Sequence, residues 1–137
     1  MGLIIDTSAV VEIERAGMDF PPLRRIQKEN VAMPAIVWAE LLTGVRMARN
    51  ARIAARRRAV LEQIRLHFPI IAFTDRIAEE YADIYAECAK AGKMIPQNDM
   101  AVAATARAFG DAFLVGPRVE QHFRRVRKLK VVCLSRT

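Results

Sequence analysis

Residues 3–10 read Leu3-Ile4-Ile5-Asp6-Thr7-Ser8-Ala9-Val10, and this stretch decides the fold because an apolar run ends abruptly in a carboxylate. The run predicts a short buried β-strand over 2–6, and the apolar spacing that follows predicts a helix over 8–15. An ionised carboxylate removed from water is strongly unfavourable unless a cation or hydrogen-bond donors compensate it. Asp6 is therefore either the cap of the following helix or part of a cation site.

The rest of the chain alternates strands with helices. We predict strands at 31–33, 70–73, 112–115 and 130–134, and helices over 22–29, 34–48, 52–67, 76–90, 99–110 and 118–125. Thr74 or Asp75 caps the helix over 76–90, and Gly92 ends it. This alternation predicts a parallel sheet with helices on both faces. The length of 137 residues fits a single α/β domain over 1–137.

The composition favours a polyanionic partner. Lys and Arg number 22 against 15 Asp and Glu, giving a net charge of +7, and the pI is about 10.1. Nucleic acid is the first expectation, ahead of an anionic membrane or an acidic protein, and solubility alone is the alternative. No apolar stretch approaches the roughly 18 residues that span a membrane. Cys88 and Cys133 lack metal-ligand partners, so we expect free thiols and a cytoplasmic location.

Glu40 interrupts the apolar helical stretch AIVWAELL over 35–42. Because this stretch is apolar almost all round, we expect Glu40 to be deeply buried, with a surface position as the alternative. Its neighbours three and four positions later, Thr43 and Gly44, are small and leave room for water or an ion.

Asp99 opens the Ala-rich stretch DMAVAATA over 99–106. Favourable interaction with the helix macrodipole would explain Asp99 by itself. The small side chains also let this helix pack close to the sheet, which would bring Asp99 near Asp6. Three carboxylates suit Mg²⁺ or Mn²⁺, whereas zinc would prefer His or Cys, and only His67 and His122 are present. Such a site next to basic side chains fits phosphodiester hydrolysis.

Two basic stretches could hold a phosphate backbone. The first includes Arg46 and Arg49, and the second begins at Arg118. Contacts of this kind position a nucleic acid without recognising its sequence. The alternative for any single arginine is a solvated helix face.

Three motifs in register resemble the PIN-domain ribonucleases, specifically the VapC-type toxins of toxin–antitoxin pairs. They are IIDTSAV over 4–10, PAIVWAELLTG over 34–44 and IPQNDMAVAA over 95–104. The resemblance implies a three-layer α/β/α sandwich with a mostly parallel central sheet. It also implies Mg²⁺- or Mn²⁺-dependent RNA cleavage, a VapB-type antitoxin and a homodimer. The family's first three acidic positions correspond to Asp6, Glu40 and Asp99, with possible support from Thr7, Ser8 and Asn98.

The chain departs from the family pattern after the predicted strand at 112–115. The family often carries a fourth Asp or Asn there, but this sequence has Gly116, Pro117 and Arg118. Glu120 is the nearest acid. The departure leaves open one metal ion or two, and it motivates an alternative function as a weak or inactive module that binds nucleic acid or antitoxin.

Overall fold

The computed structural model describes residues 2–16 and 30–134, so the predicted helix over 22–29 lies outside the described residues. Its five strands are β1 (Gly2–Ile5), β2 (Asn30–Pro34), β3 (Ile70–Ile71), β4 (Ala112–Val115) and β5 (Val131–Cys133). Its helices in this part of the chain are α1 (Thr7–Ala16), α2 (Ala35–Arg46), α3 (Ala51–His67), α4 (Asp75–Ala91), α5 (Gln97–Phe109) and α6 (Glu120–Phe123).

All the strands pair in parallel, in the order β3-β2-β1-β4-β5. The central strand is β1, where Leu3 lies opposite Val31 of β2 on one side and Ala112 of β4 on the other. The chain therefore changes direction across the sheet at β1, and ligands bind outside the carboxyl end of such a switch point in open α/β sheets. The predicted parallel sheet is confirmed.

Several predicted boundaries need correction. The strand predicted over 70–73 ends at Ile71, because β3 is an edge strand whose continuation, Ala72 and Phe73, is exposed. The helix predicted over 118–125 is a single turn, and its N-cap residue Val119 accepts no capping hydrogen bond. The prediction that Thr74 or Asp75 caps α4 is confirmed for Thr74, whose hydroxyl accepts a hydrogen bond from the backbone N–H of Ile77 at 3.3 Å.

The core lies where α1, α2 and α5 meet the sheet. Ile4 and Ile5 of β1 and Phe113 of β4 are fully buried. On α5 the buried alanines include Ala103 and Ala104, as the small-residue pattern predicts for close packing. Cys88 is buried and Cys133 half-buried, and both are free thiols, as predicted. No helix in the described segments is long and apolar enough to cross a membrane.

An ion-pair network joins α4 to α5. The Arg107 guanidinium donates to Glu80 at 2.7 Å and to Glu87 at 2.9 Å, and its side chain is only 10% exposed. The hydrogen bond from Arg107 holds the pKa of Glu87 below its usual value of 4.5. Since α4 and α5 form the most extensive helix pair in the described fold, this network fixes the helix that carries Asp99.

Replacing Arg107 with Met should lower the free energy of unfolding by about 2 kcal/mol, measured by urea denaturation at pH 7. The loss is smaller than for a fully buried pair, because Glu80 and Glu87 are 30% and 34% exposed and can rehydrate. Glu62→Ala, which removes the exposed pair with Arg58, is the control and should cost under about 0.5 kcal/mol.

The difference in unfolding free energy between wild type and Arg107→Met should depend on pH. A carboxylate with a lowered pKa contributes stability above its unfolded pKa and loses it as the pH falls through the folded value. The difference between wild type and Arg107→Met should therefore shrink below pH 4.5, the usual value for Glu87. A difference that grew on acidification would contradict this account.

Candidate functional site

Asp6 lies at the carboxyl end of β1 and is 4% exposed. Its backbone N–H donates to the carbonyl of Leu114 in β4 at 2.9 Å, and its own carbonyl accepts from Ala9 and Val10 at the start of α1. The carboxylate accepts two hydrogen bonds from Ser8, one from the backbone N–H at 3.1 Å and one from the hydroxyl. Asp6 therefore does cap α1, and its carboxylate also stands at the switch point of the sheet.

Glu40 projects from α2 toward Asp6. The Thr7 hydroxyl donates to Glu40 Oε1 at 3.0 Å, which ties the two elements together. The prediction of deep burial is wrong, since Glu40 is half-buried and Ala39 and Thr43 are exposed. The cause is that only Val37 and Leu41 of α2 are buried, so the helix lies against the core along one side and is open on the other.

Asp99 lies in the first turn of α5, as predicted, and its side chain is 23% exposed. His122 of α6 places its Nδ1 atom 3.4 Å from Asp99 Oδ2. The two groups are close enough to attract when the imidazole is protonated, but they are not aligned as a hydrogen bond. Asn98 is exposed and forms no hydrogen bond to the three acids, so its supporting role stays a prediction.

The three carboxylates share one electrostatic environment. Burial raises the pKa of Asp6 above 3.8, and hydrogen bonds from Ser8 and Thr7 partly offset the effect. Burial raises the pKa of Glu40 first, and the charges of Asp6 and Asp99 raise it further. Burial and then the charge of Asp6 raise the pKa of Asp99, against the attraction of His122. The fold thus brings the three predicted acids together, as their mutual repulsion indicates.

The three acids form no ion pair with a lysine or an arginine among the described residues, 2–16 and 30–134. In the same segments, no three His, Cys, Asp or Glu side chains stand preassembled as a metal cage. A divalent ion such as Mg²⁺ needs only one or two protein carboxylates, since it keeps several waters. The donor set of carboxylate oxygens that no described Lys or Arg neutralises, with the buried Nδ1 of His122 beside it, therefore fits a divalent cation.

The segment after β4, where the resemblance led us to expect a fourth Asp or Asn, supplies a backbone donor. The Gly116 N–H donates to Ser8 Oγ at 2.9 Å, and Ser8 in turn donates to Asp6. A Cβ at Gly116 would lie 2.9 Å from the Ser8 carbonyl oxygen, so only glycine fits this approach. Pro117 is exposed, and Glu120 is engaged by Arg124.

A groove of about 370 Å³ opens beside Glu40 between α1, α2 and α3. Arg15, Arg56 and Arg57 line it, and Arg57 is held by a hydrogen bond of 2.9 Å to the carbonyl of Gly44. The predicted Arg46 and Arg49 are exposed but are not among the lining residues.

The predicted Arg118 lines a second pocket of about 150 Å³, which Arg15 also reaches. Arg15 is thus shared by both cavities, and the sequence reasoning missed it. Its only sequence signal is a basic residue in the last turn of a helix that follows a strand-ending acid. Such a position is usually a solvated helix end.

The PIN domain model matches residues 3–128. Ribonuclease VapC1 of Rickettsia felis is 30% identical over 135 residues, which is 98% of each chain. The structure of VapBC2 from Rickettsia felis bound to a promoter DNA fragment aligns with a TM-score of 0.88 at 22% identity, covering 98% of this chain and 100% of that one. FitAcB from Neisseria gonorrhoeae aligns with a TM-score of 0.77 at 28% identity, over 94% and 95%. These similarities confirm the predicted three-layer α/β/α fold.

Asp99→Asn should raise the thermal midpoint in EDTA at pH 8 by roughly 2–5 °C, measured by differential scanning calorimetry. A carboxylate with a raised pKa destabilises the fold once it ionises, so the penalty develops as the pH rises above 3.8. The gain should therefore vanish in acid below that pH. Asp83→Asn, at an exposed site on α4, is the control and should change little, while a destabilised Asp99→Asn at pH 8 would refute this electrostatic account.

Gly116→Ala should destabilise the protein by roughly 1–3 kcal/mol, because the new methyl group collides with the Ser8 backbone. Gly44→Ala is a matched control, since its added Cβ meets open space within α2. That substitution should be neutral or stabilising by up to about 1 kcal/mol. Chemical denaturation of both variants checks the pair, and equal effects would show that the close approach at Gly116 is unimportant.

Proposed function

The chain belongs to the PIN-domain family, and on that basis we propose that it is a divalent-metal-dependent endoribonuclease toxin of the VapC type. It hydrolyses RNA phosphodiester bonds with an ion, Mg²⁺ or Mn²⁺, held by Asp6, Glu40 and Asp99. The family match spans most of the 137 residues, and we propose that they form a single domain. The two free cysteines suit a reducing compartment, so the proposed site of action is the cytoplasm.

One observation carries the proposal. A chain of net charge +7 leaves three neighbouring carboxylates without an Arg or Lys partner among the described residues, and their pKa values are raised. Structural ion pairing does not explain such an arrangement, because basic side chains are abundant nearby. A cluster of carboxylates that are partly buried and lie close enough to repel one another fits a function that requires a cation.

When bound, the ion would supply Lewis acidity toward the phosphoryl oxygen and a nucleophilic water at neutral pH. The protein's own part is to hold the carboxylates. Ser8 fixes one oxygen of Asp6, and Thr7 fixes Oε1 of Glu40. Glu40 Oε2 accepts no hydrogen bond from a described residue and is free to face the reacting groups.

The RNA backbone would lie along the groove beside Glu40. Arg15, Arg56 and Arg57 line this groove, and such guanidinium groups bind phosphates in a bidentate manner. The exposed Arg46, Arg49 and Arg118 extend the positive surface and belong to the same proposal. This placement brings a phosphodiester to the acidic cluster without contacts that recognise a base.

A VapB-type antitoxin is the proposed protein partner, and a homodimer is the proposed assembly. The similar structures include VapBC complexes from Rickettsia felis and Salmonella typhimurium, which supports a partner of this kind. Exposed apolar side chains such as Met47, Leu66 and Phe109 offer surface that an interface would cover.

The test of activity compares wild type with Asp6→Asn and Glu40→Gln on a mixed RNA pool in the presence of Mg²⁺ or Mn²⁺. Each change removes a negative charge but keeps the side-chain shape, so we expect cleavage to fall by roughly 100-fold or more and growth arrest to be lost. Asp83→Asn is the control for the loss of a carboxylate and should cleave like wild type. EDTA should abolish wild-type cleavage.

Equal cleavage by all these proteins would reject the metal-site proposal. If the wild type binds RNA but cleaves nothing at any metal concentration, the second candidate function holds instead. That candidate is a non-catalytic PIN-fold module that binds RNA or antitoxin. The observation that favours it is the backbone donor of Gly116 at the position where the family carries a fourth polar side chain.

A further inference from the structure

The Nδ1 atom of His122 is buried and forms no hydrogen bond within the described residues, and its neighbour is the Asp99 carboxylate. The side chain as a whole is 40% exposed, yet this nitrogen has no contact with solvent and forms no hydrogen bond to any residue in the described segments. Buried polar atoms are nearly always satisfied in folded proteins, so each exception calls for an explanation. The position of this atom supplies one.

His122 Nδ1 faces the acidic cluster, 3.4 Å from Asp99 Oδ2. Two donor atoms that each lie about 2.1 Å from one metal ion, at an angle of 90–110°, are roughly 3.0–3.4 Å apart. The separation of Nδ1 and Oδ2 therefore matches two ligands of a common ion. The two atoms are not aligned as a hydrogen bond.

The fold holds His122 in this position. Its neighbour Phe123 is fully buried, with its ring centroid 4.5 Å from that of Phe113 in β4. The single turn of α6 is thereby anchored to the sheet, close to the carboxyl end of β4. The backbone of His122 is therefore held beside the end of α5 that carries Asp99.

The surrounding segment offers no other side chain for the task. Gly116 contributes a backbone N–H to Ser8, Pro117 and Arg118 are exposed, and Glu120 is paired with Arg124. The group of this segment that approaches Asp99 is the Nδ1 atom of His122.

We propose that His122 Nδ1 is a ligand of the divalent ion, beside Asp99. The inference rests on the proposed function, because it assigns a ligand to the same site. Imidazole suits transition-metal ions, whereas Mg²⁺ prefers oxygen ligands. The mixed donor set therefore selects Mn²⁺ over Mg²⁺ and makes Mn²⁺ the working cofactor.

The direct test is pulsed EPR of Mn²⁺ bound to the tag-free full-length protein. A coordinated imidazole gives a ¹⁴N modulation in the electron spin echo, and the chain has only two histidines, His67 and His122. We expect the modulation in wild type and in His67→Gln, the matched control on α3. It should be absent from His122→Ala.

Isotope labelling keeps the test valid even if His122→Ala fails to fold. Wild-type protein grown with ¹⁵N-histidine should lose the ¹⁴N signal and show the ¹⁵N coupling, with no change in sequence. Bound Mn²⁺ without any histidine coupling overturns the inference. In that case His122 acts at most as a neighbour that orients Asp99.

Affinity measurements supply a second readout that does not depend on cleavage. Mn²⁺ binding, counted from the EPR signal of the free ion, should weaken by about tenfold or more in His122→Ala. Mg²⁺ binding, measured by competition, should weaken by less than about threefold. An equal loss for both ions would overturn the nitrogen ligand. Failure of the wild type to bind any divalent ion would instead reject the proposed function, which separates the two failures.

Discussion

The rest of the structure depends on a carboxylate buried at the end of the central strand. Asp6 is 4% exposed, and its carboxylate accepts hydrogen bonds from the hydroxyl and backbone N–H of Ser8 and from the backbone of Thr7. Ser8 is fixed in turn by the Gly116 N–H, so the start of α1 and the end of β4 close around one acid. The parallel order of the sheet places this arrangement at the switch point, where Glu40 and Asp99 approach from α2 and α5.

The site is electrostatically unfavourable by itself, and the surrounding structure holds it in place. Burial raises the pKa of all three acids, and charge repulsion from neighbouring carboxylates raises those of Glu40 and Asp99 further, so the ionised forms weaken the fold. The Arg107 network and the buried alanines of α5 stabilise the helix that carries Asp99. Functional sites typically lower the stability of a fold, and favourable contacts elsewhere in the protein compensate for the loss.

The parallel sheet and the position of Asp6 could be predicted from the sequence, because an apolar run followed by an acid depends on local pattern alone. The position of Asp99 could be predicted in the same way, since the small residues after it allow a close helix–sheet contact. The exposure of Glu40 was predicted wrongly, because the helix pattern does not show which side of α2 stays open. The positions of Arg15 at the groove and of His122 beside Asp99 could not be predicted, since they depend on the tertiary contacts that bring α1 to the groove and α6 to Asp99.

The most direct test of the central claim is anomalous scattering from a crystal of the protein soaked in Mn²⁺. We expect a peak at the carboxyl end of β1, with oxygens of Asp6 and Asp99 at about 2.1–2.3 Å from it. A saturating soak that leaves this position empty, or that places Mn²⁺ only at distant surface acids, would contradict the claim that the three carboxylates form a cation site.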